Sequence, residues 1–193
     1  MSLASLKNLV ILYTNRPDLD SLTESAVKAT ARKFHSSGYF PQDVTVETIT
    51  FGTVGSYQTI PYKTRYPLFR QVAYIKRLPV TGPAIPHHYS PPEQFFGSTS
   101  QLNSFTVDNT NISINSVDAS TQILVGVYTY PDPGLADGVS FICDEMPDLI
   151  ATEAAAIIFR ATNQKEKADA FSQVAREQLN FLKQTKSASI AVK

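Results

Sequence analysis

The sequence predicts an α+β protein: a helical bundle formed by N- and C-terminal helix pairs, with an antiparallel β region inserted between them. Three observations predict it. Apolar residues recur every three or four positions near both ends of the chain. Between those ends the pattern changes to β-branched runs in which apolar and polar residues alternate. Helix-stopping and helix-starting residues mark the two changes, Gly38 and Pro41 going in and Pro147 coming out.

The elements follow in order. Leu3, Leu6, Val10 and Tyr13 fall at helical spacing, so residues 3–14 are expected to form an amphipathic helix that Pro17 closes. A second helix is expected over 18–37. Ser21 to Glu24 reads S-L-T-E, a capping box, and Asp18 and Asp20 suit the positive helix start. Its apolar face is read as Leu19, Leu22, Ala26, Ala29 and Lys33, with Val27 and Phe34 beside it, and Gly38 is assigned the left-handed position after its end. Val44–Phe51 and Arg70–Leu78 read as strands, the latter with Val72 and Tyr74 on one face and Ala73 and Ile75 on the other. Ser104–Asn115 reads as a hairpin turning at D-N-T-N, and Ile123–Tyr130 as a more central strand. Alanine-rich Ala151–Thr162 is expected to be a buried helix. N-Q-K-E at Asn163–Glu166 is read as the cap of a last helix, which runs to about Thr185 with Ala168, Phe171, Ala175, Leu179 and Leu182 in its stripe.

The expected layout is one domain over 1–186, with helices in 1–40 and 146–186, a β insertion at 41–143 and a tail at 187–193. Within the insertion, 79–101 holds five of the twelve prolines and is expected to form neither a regular helix nor an inner strand. Phe95 and Phe96 in it either meet a partner surface or fold back on the sheet. In the tail, Ile190 and Val192 alternate about Ala191. Such a segment is either a disordered end or a strand that adds to a partner.

Composition narrows the function. The formal net charge is zero, which argues against a general nucleic-acid binder but leaves room for a local basic patch. A single cysteine, Cys143, permits no intrachain disulfide and fits synthesis in a reducing cytosol. No signal peptide or membrane span is expected from MSLASLKNLVILYTNRPD. The sequence holds no zinc spacing, P-loop, nucleophile elbow or dinucleotide fingerprint, so no metal, cofactor or catalytic residue is assigned. His35, His87 and His88 are read as surface or loop residues. Cys143 is read as buried, its thiol pKa raised by Asp144 and Glu145. Gly52 and Gly55 are read as bends, and Arg70, Lys76 and Arg77 as a solvated strand edge.

Four stretches carry a resemblance. TNRPDLDSLTESAVKATARKFHSSGYFPQDV resembles the N-terminal helix pair of head-to-tail adaptor (connector) proteins of short-tailed, podovirus-type bacteriophages. YPLFRQVAYIKRL resembles their next strand and ILVGVYTYPD their late strand. DEMPDLIATEAAAIIFRATNQKEKADAFSQVAREQLNFLKQ resembles their closing helix pair. The four occur in the family's order and cover most of the chain.

The resemblance implies a structural virion protein rather than an enzyme. It would be assembled in the bacterial cytoplasm and sit in the virion neck between capsid and tail. It would form a dodecameric ring that docks under the portal protein and meets a tail hub or nozzle protein. Double-stranded DNA would pass through the ring without sequence recognition, and no membrane is involved. An adaptor terminus contacting the portal directs attention to Ile190 and Val192, and the ring or tail interface to Phe95 and Phe96. The nearest rival is another phage neck protein such as a tail terminator. From a different class, a small hydrolase or a non-viral binding module competes.

Overall fold

The structure, a computed structural model, describes residues 1–50, 57–97, 102–115, 122–136 and 140–188. Seven α-helices and two four-stranded sheets are present among these residues, so the fold is α+β as expected. The chain divides into two compact units. One is helical, Met1–Gln42 with Tyr130–Lys193, and the other is the β unit, Asp43–Thr129. The insertion therefore ends at residue 129 rather than 143, because the residues that follow rejoin the helices.

In the helical unit, α1 (Leu3–Thr14) and α2 (Asp20–Ser36) pack on α6 (Pro147–Ala161), which also packs along α7 (Lys165–Ala188). The sequence of α6 explains its central place. Ala151, Ala154, Ala155 and Ala156 are fully buried, and their small side chains let neighbouring backbones approach closely, while Leu149, Ile150 and Ile158 fill the gaps between. Leu6 and Val10 of α1 and Ala175 and Leu182 of α7 join this core. Pro147 takes the first helical position of α6, as its missing N–H allows. Asp148 beside it accepts a hydrogen bond from the Tyr13 hydroxyl at 2.7 Å, and burial together with that carboxylate pushes the Tyr13 pKa up to about 12.

Four expectations for the helices need correction. Ser21 lies inside α2 and caps nothing; the helix starts at Asp20 after a 3-10 turn at Pro17–Leu19. The buried face of α2 is Thr23, Ala26, Val27, Thr30, Ala31 and Phe34, whereas Ala29 is exposed. Lys33, expected on the apolar face, instead reaches Glu153, an otherwise buried carboxylate of α6, at 2.5 Å. Gly38 has no positive φ; the ring of Phe40 stands 3.0 Å from where a β-carbon would be, and close approach is its reason.

The joint between α6 and α7 is where the sequence placed it, but by another mechanism. Asn163 sits in the left-handed region (φ 58°) and ends α6. The Asn163 N–H donates to the Arg160 carbonyl and the Gln164 N–H to the Phe159 carbonyl, the paired bonds of a Schellman end. At the other end α7 continues through Ala188, beyond the expected stop near Thr185. Lys186 pairs there with Glu145 at 2.6 Å and lies over the Phe141 ring, giving the last turn a partner.

In the β unit one sheet has the order β1 (Val44–Thr50), β8 (Gln122–Thr129), β3 (Phe69–Leu78), β4 (Ile85–Pro86), all antiparallel. The other has the order β2 (Gln58–Ile60), β7 (Ile112–Ile114), β6 (Ser104–Val107), β5 (His88–Tyr89). There β5 runs parallel to β6, an exception to the expected antiparallel region. Strand β8 is central, and Ile123, Val125 and Val127 on one of its faces are fully buried. The β6–β7 hairpin closes as expected. Asp108 accepts hydrogen bonds from the backbone N–H groups of Thr110 and Asn111, which hold its carboxyl below the usual range.

The expected faces of β3 are wrong. Val72 lies opposite Val127, but Tyr74 lies opposite Gly126, so Ala73 is an extra residue, and a second register shift falls at Arg70. Each bulge moves later side chains to the other face. Val72 and Ile75 thus share the core side and Tyr74 faces away.

The Pro-rich segment behaves as proline demands, with β4 and β5 at sheet edges and one helical turn, α4 (Pro92–Phe95). It is also anchored more firmly than a segment awaiting a partner. The N–H groups of His87, His88 and Ser90 donate to the carbonyls of Ile75, Asn103 and Phe105.

Candidate functional site

The two phenylalanines singled out from the sequence separate. One turn of helix, set by Pro92 at its start, turns Phe95 inward to 3 % exposure and leaves Phe96 half exposed at 50 %. Phe95 is therefore a core residue and not a contact surface, since its ring is needed to anchor the turn. Tyr57, 46 % exposed, meets both edge-on, its ring centroid 6.0 Å from Phe95 and 5.2 Å from Phe96, and the two phenylalanines are 5.0 Å apart. The result is a rigid aromatic knob whose outer half, Tyr57 and Phe96, faces solvent. No sequence signal marked Tyr57, which is far from both phenylalanines along the chain. Ile190 and Val192 lie outside the described residues, as do Gly52 and Gly55.

Other large apolar side chains stand exposed. In the β unit these include Tyr89, Val80 and Leu102; in the helical unit, Leu12 on α1 and Val174 with Phe181 on α7. Val174 and Phe181 are seven residues apart and share one helix face.

The titratable residues are built into structure. His35, expected at the surface, is buried on α2; its Nε2 is 2.8 Å from the Ser140 hydroxyl and its ring meets Phe141 edge-on. Ser140 also accepts the Cys143 N–H, capping the short helix α5 (Phe141–Glu145), an element the sequence reading overlooked. The signal for it was a serine just before Phe141 and Ile142. Cys143 is buried as expected, and burial rather than the neighbouring acids pushes its thiol up, against a hydrogen bond with Ser140.

His88 is exposed, whereas His87, read like it as a surface or loop residue, is buried. Burial holds the His87 pKa below its ordinary value, although backbone groups of Asn115 and Ile85 lie near enough to oppose the shift. Neither ring nitrogen of His87 makes a hydrogen bond of good geometry. Among the described residues no group of three or more His, Cys, Asp or Glu could hold a metal ion, and no helix is long and apolar enough to cross a membrane. No protein-family model matches the chain, and no curated protein matches it.

Proposed function

We propose that the chain is a structural subunit of the head-to-tail adaptor ring of a short-tailed bacteriophage. In this reading twelve copies dock under the portal protein, prolong its channel and offer the tail hub or nozzle a platform, while double-stranded DNA passes through. The ring would be non-enzymatic and would occupy the virion neck. One observation carries the reading. Four segments resemble the family's segments in the family's order; the first holds α2 and the last holds α6 and α7, and α2 and α7 both pack on α6, with the strands inserted between in the chain.

The surfaces are compatible with that role. A closed ring is heterologous, so each subunit needs two different patches, one for each neighbour. The aromatic knob of Tyr57 and Phe96 on the β unit and the Val174–Phe181 face on the helical unit differ in shape and chemistry. The C-terminal segment with Ile190 and Val192 is assigned to the portal as part of the same proposal.

Mixing the 21.2 kDa chain with portal dodecamers and measuring mass in solution tests this. The expected product is a complex with twelve added copies, and truncation after Gln184 is expected to weaken it. A portal whose mass is unchanged at micromolar concentrations of the chain would refute the adaptor reading. Unchanged affinity after truncation would remove Ile190 and Val192 from the contact.

A further inference from the structure

The aromatic knob has a concave counterpart in the same β unit. An open cavity of about 440 Å³ has a mostly apolar wall, built from Phe69, Val72, Tyr89, Phe105 and Val107. Tyr89 is 58 % exposed and rests edge-on against Phe105. The wall continues through Phe69 into a second, more polar hollow that holds Tyr62 and Lys63 of the short helix α3 (Tyr62–Arg65). Tyr62 lies against Phe69, ring centroids 4.2 Å apart, and its hydroxyl donates to the Asp108 carbonyl, so this side of the cavity is held in place.

Knob and cavity lie on opposite faces of one sheet. Phe105 and Val107 of β6 turn toward the cavity. Ile114 is opposite Phe105 and Gln58 is opposite Ile114, so Gln58 shares that face. Tyr57 precedes Gln58 by one residue, and strand alternation puts it on the other face. Phe95 and Phe96 join Tyr57 there. The knob therefore cannot fill the cavity of its own chain. An apolar projection on one face and an apolar hollow on the other suit a head-to-tail repeat of identical subunits. The Val174–Phe181 side of α7 is the convex surface of a helix and offers the knob no such seat.

Charge agrees with the pairing. Glu93 is exposed on α4 three residues before Phe96, and residues at that spacing are neighbours on a helix surface. Lys63 is exposed at the hollow. Among the described residues neither of these two makes an ion pair. The other cations nearby are engaged: Arg65 donates to both oxygens of Glu47, and Arg70 lies over the Tyr128 ring. The knob thus carries an uncommitted anion and the cavity rim an uncommitted cation.

We infer that copies of this chain join head to tail through the β unit. The knob of Tyr57 and Phe96 on one copy sits in the apolar cavity of the next, with Glu93 of the first beside Lys63 of the second. Two half-exposed rings bring about 150–250 Å² to such a contact, well below the roughly 800 Å² per partner of a stable pair. The contact is therefore weak between two free chains and holds where a closed ring engages every copy on both faces. The inference rests on the adaptor reading for that ring and deepens it by naming the contact between neighbours.

Cross-linking of the chain without portal provides the test. Gln94→Cys places a thiol beside the knob and Thr64→Cys one beside the cavity; both positions are exposed, and Cys143 is buried, so the added thiols alone react. Mixing the two variants with a short bis-maleimide is expected to give a covalent pair in clear excess over either variant alone. Glu93→Lys in the first or Lys63→Glu in the second is expected to lower the yield about two- to fivefold, and the two together to restore it. These reversals touch only exposed side chains and leave the fold intact. Tyr57→Ser with Phe96→Ser in the first is expected to abolish the pair. A mixed yield no greater than that of either variant alone, a yield indifferent to loss of the two rings, or a double reversal that fails to restore it overturns the inference. Portal mass reports the adaptor reading separately. Twelve added copies without the cross-link would remove this contact and leave that reading, and the cross-link without portal binding would do the reverse.

Discussion

Deleting residues 147–193 is expected to abolish cooperative structure in α1 and α2. These two helices have 12 and 17 residues, and isolated helices of about that length are marginal in water. What holds them is the face they bury. Leu6 and Val10 of α1, and Ala26, Val27, Ala31 and Phe34 of α2, lie in one cluster with Leu149, Ile150, Ala151, Ala154, Ala155 and Ile158 of α6. Removing α6 exposes that whole face, and no propensity gain offsets it, because α2 is rich in serine and threonine. The β unit has its own core of Ile60, Ile75, Ile112, Ile114, Ile123, Val125 and Val127, and is expected to keep a cooperative transition. Amide hydrogen exchange on the shortened chain checks both halves. Protected amides in α1 and α2 would show that the two pairs are separate bundles and not one.

The largest effect expected from a single methyl group is at Gly126, in the middle of β8. A β-carbon there would lie 2.6 Å from Cζ and 2.7 Å from Cε1 of Tyr74, the residue opposite it on β3. The ring lies flat across the glycine, with the Lys76 ammonium 5.0 Å from its centre. Gly126→Ala must therefore displace an aromatic ring and is expected to destabilise the β unit by about 1–3 kcal/mol. In a Tyr74→Ala background the same substitution is expected to cost nothing or to stabilise slightly, since alanine restricts the unfolded chain more than glycine does. Urea melts of the four chains give the coupling. Equal costs in both backgrounds would mean that the glycine is needed for its backbone and not for the ring.

Sequence periodicity reported α1, α6 and α7 well, because the stripes of α1 and α7 and the alanines of α6 all lie where spacing put them. It failed where a residue's role depends on something far along the chain. Ala73 reads as an ordinary strand residue, and only pairing with β8 makes it a bulge. Lys33 looks misplaced on an apolar face until Glu153 appears opposite it. Asn163 is compatible with capping the next helix or ending the last one, and the Phe159 carbonyl decides. Thr23 and Thr30, absent from the expected stripe, lie on the buried face of α2, where their methyl groups suit a tight helix contact.

The candidate surfaces were legible by half. Two adjacent phenylalanines in a Pro-rich segment announce themselves, but which one is buried depends on where a single helical turn begins.

Under the adaptor proposal this chain joins a portal to a tail. The decisive test is an averaged image of the necks of phage particles assembled with the chain tagged by a small domain at its N-terminus. A ring of twelve added densities between portal and tail is the expected result. Tag density on the capsid surface, at the tail tip, or absent from purified virions would contradict it.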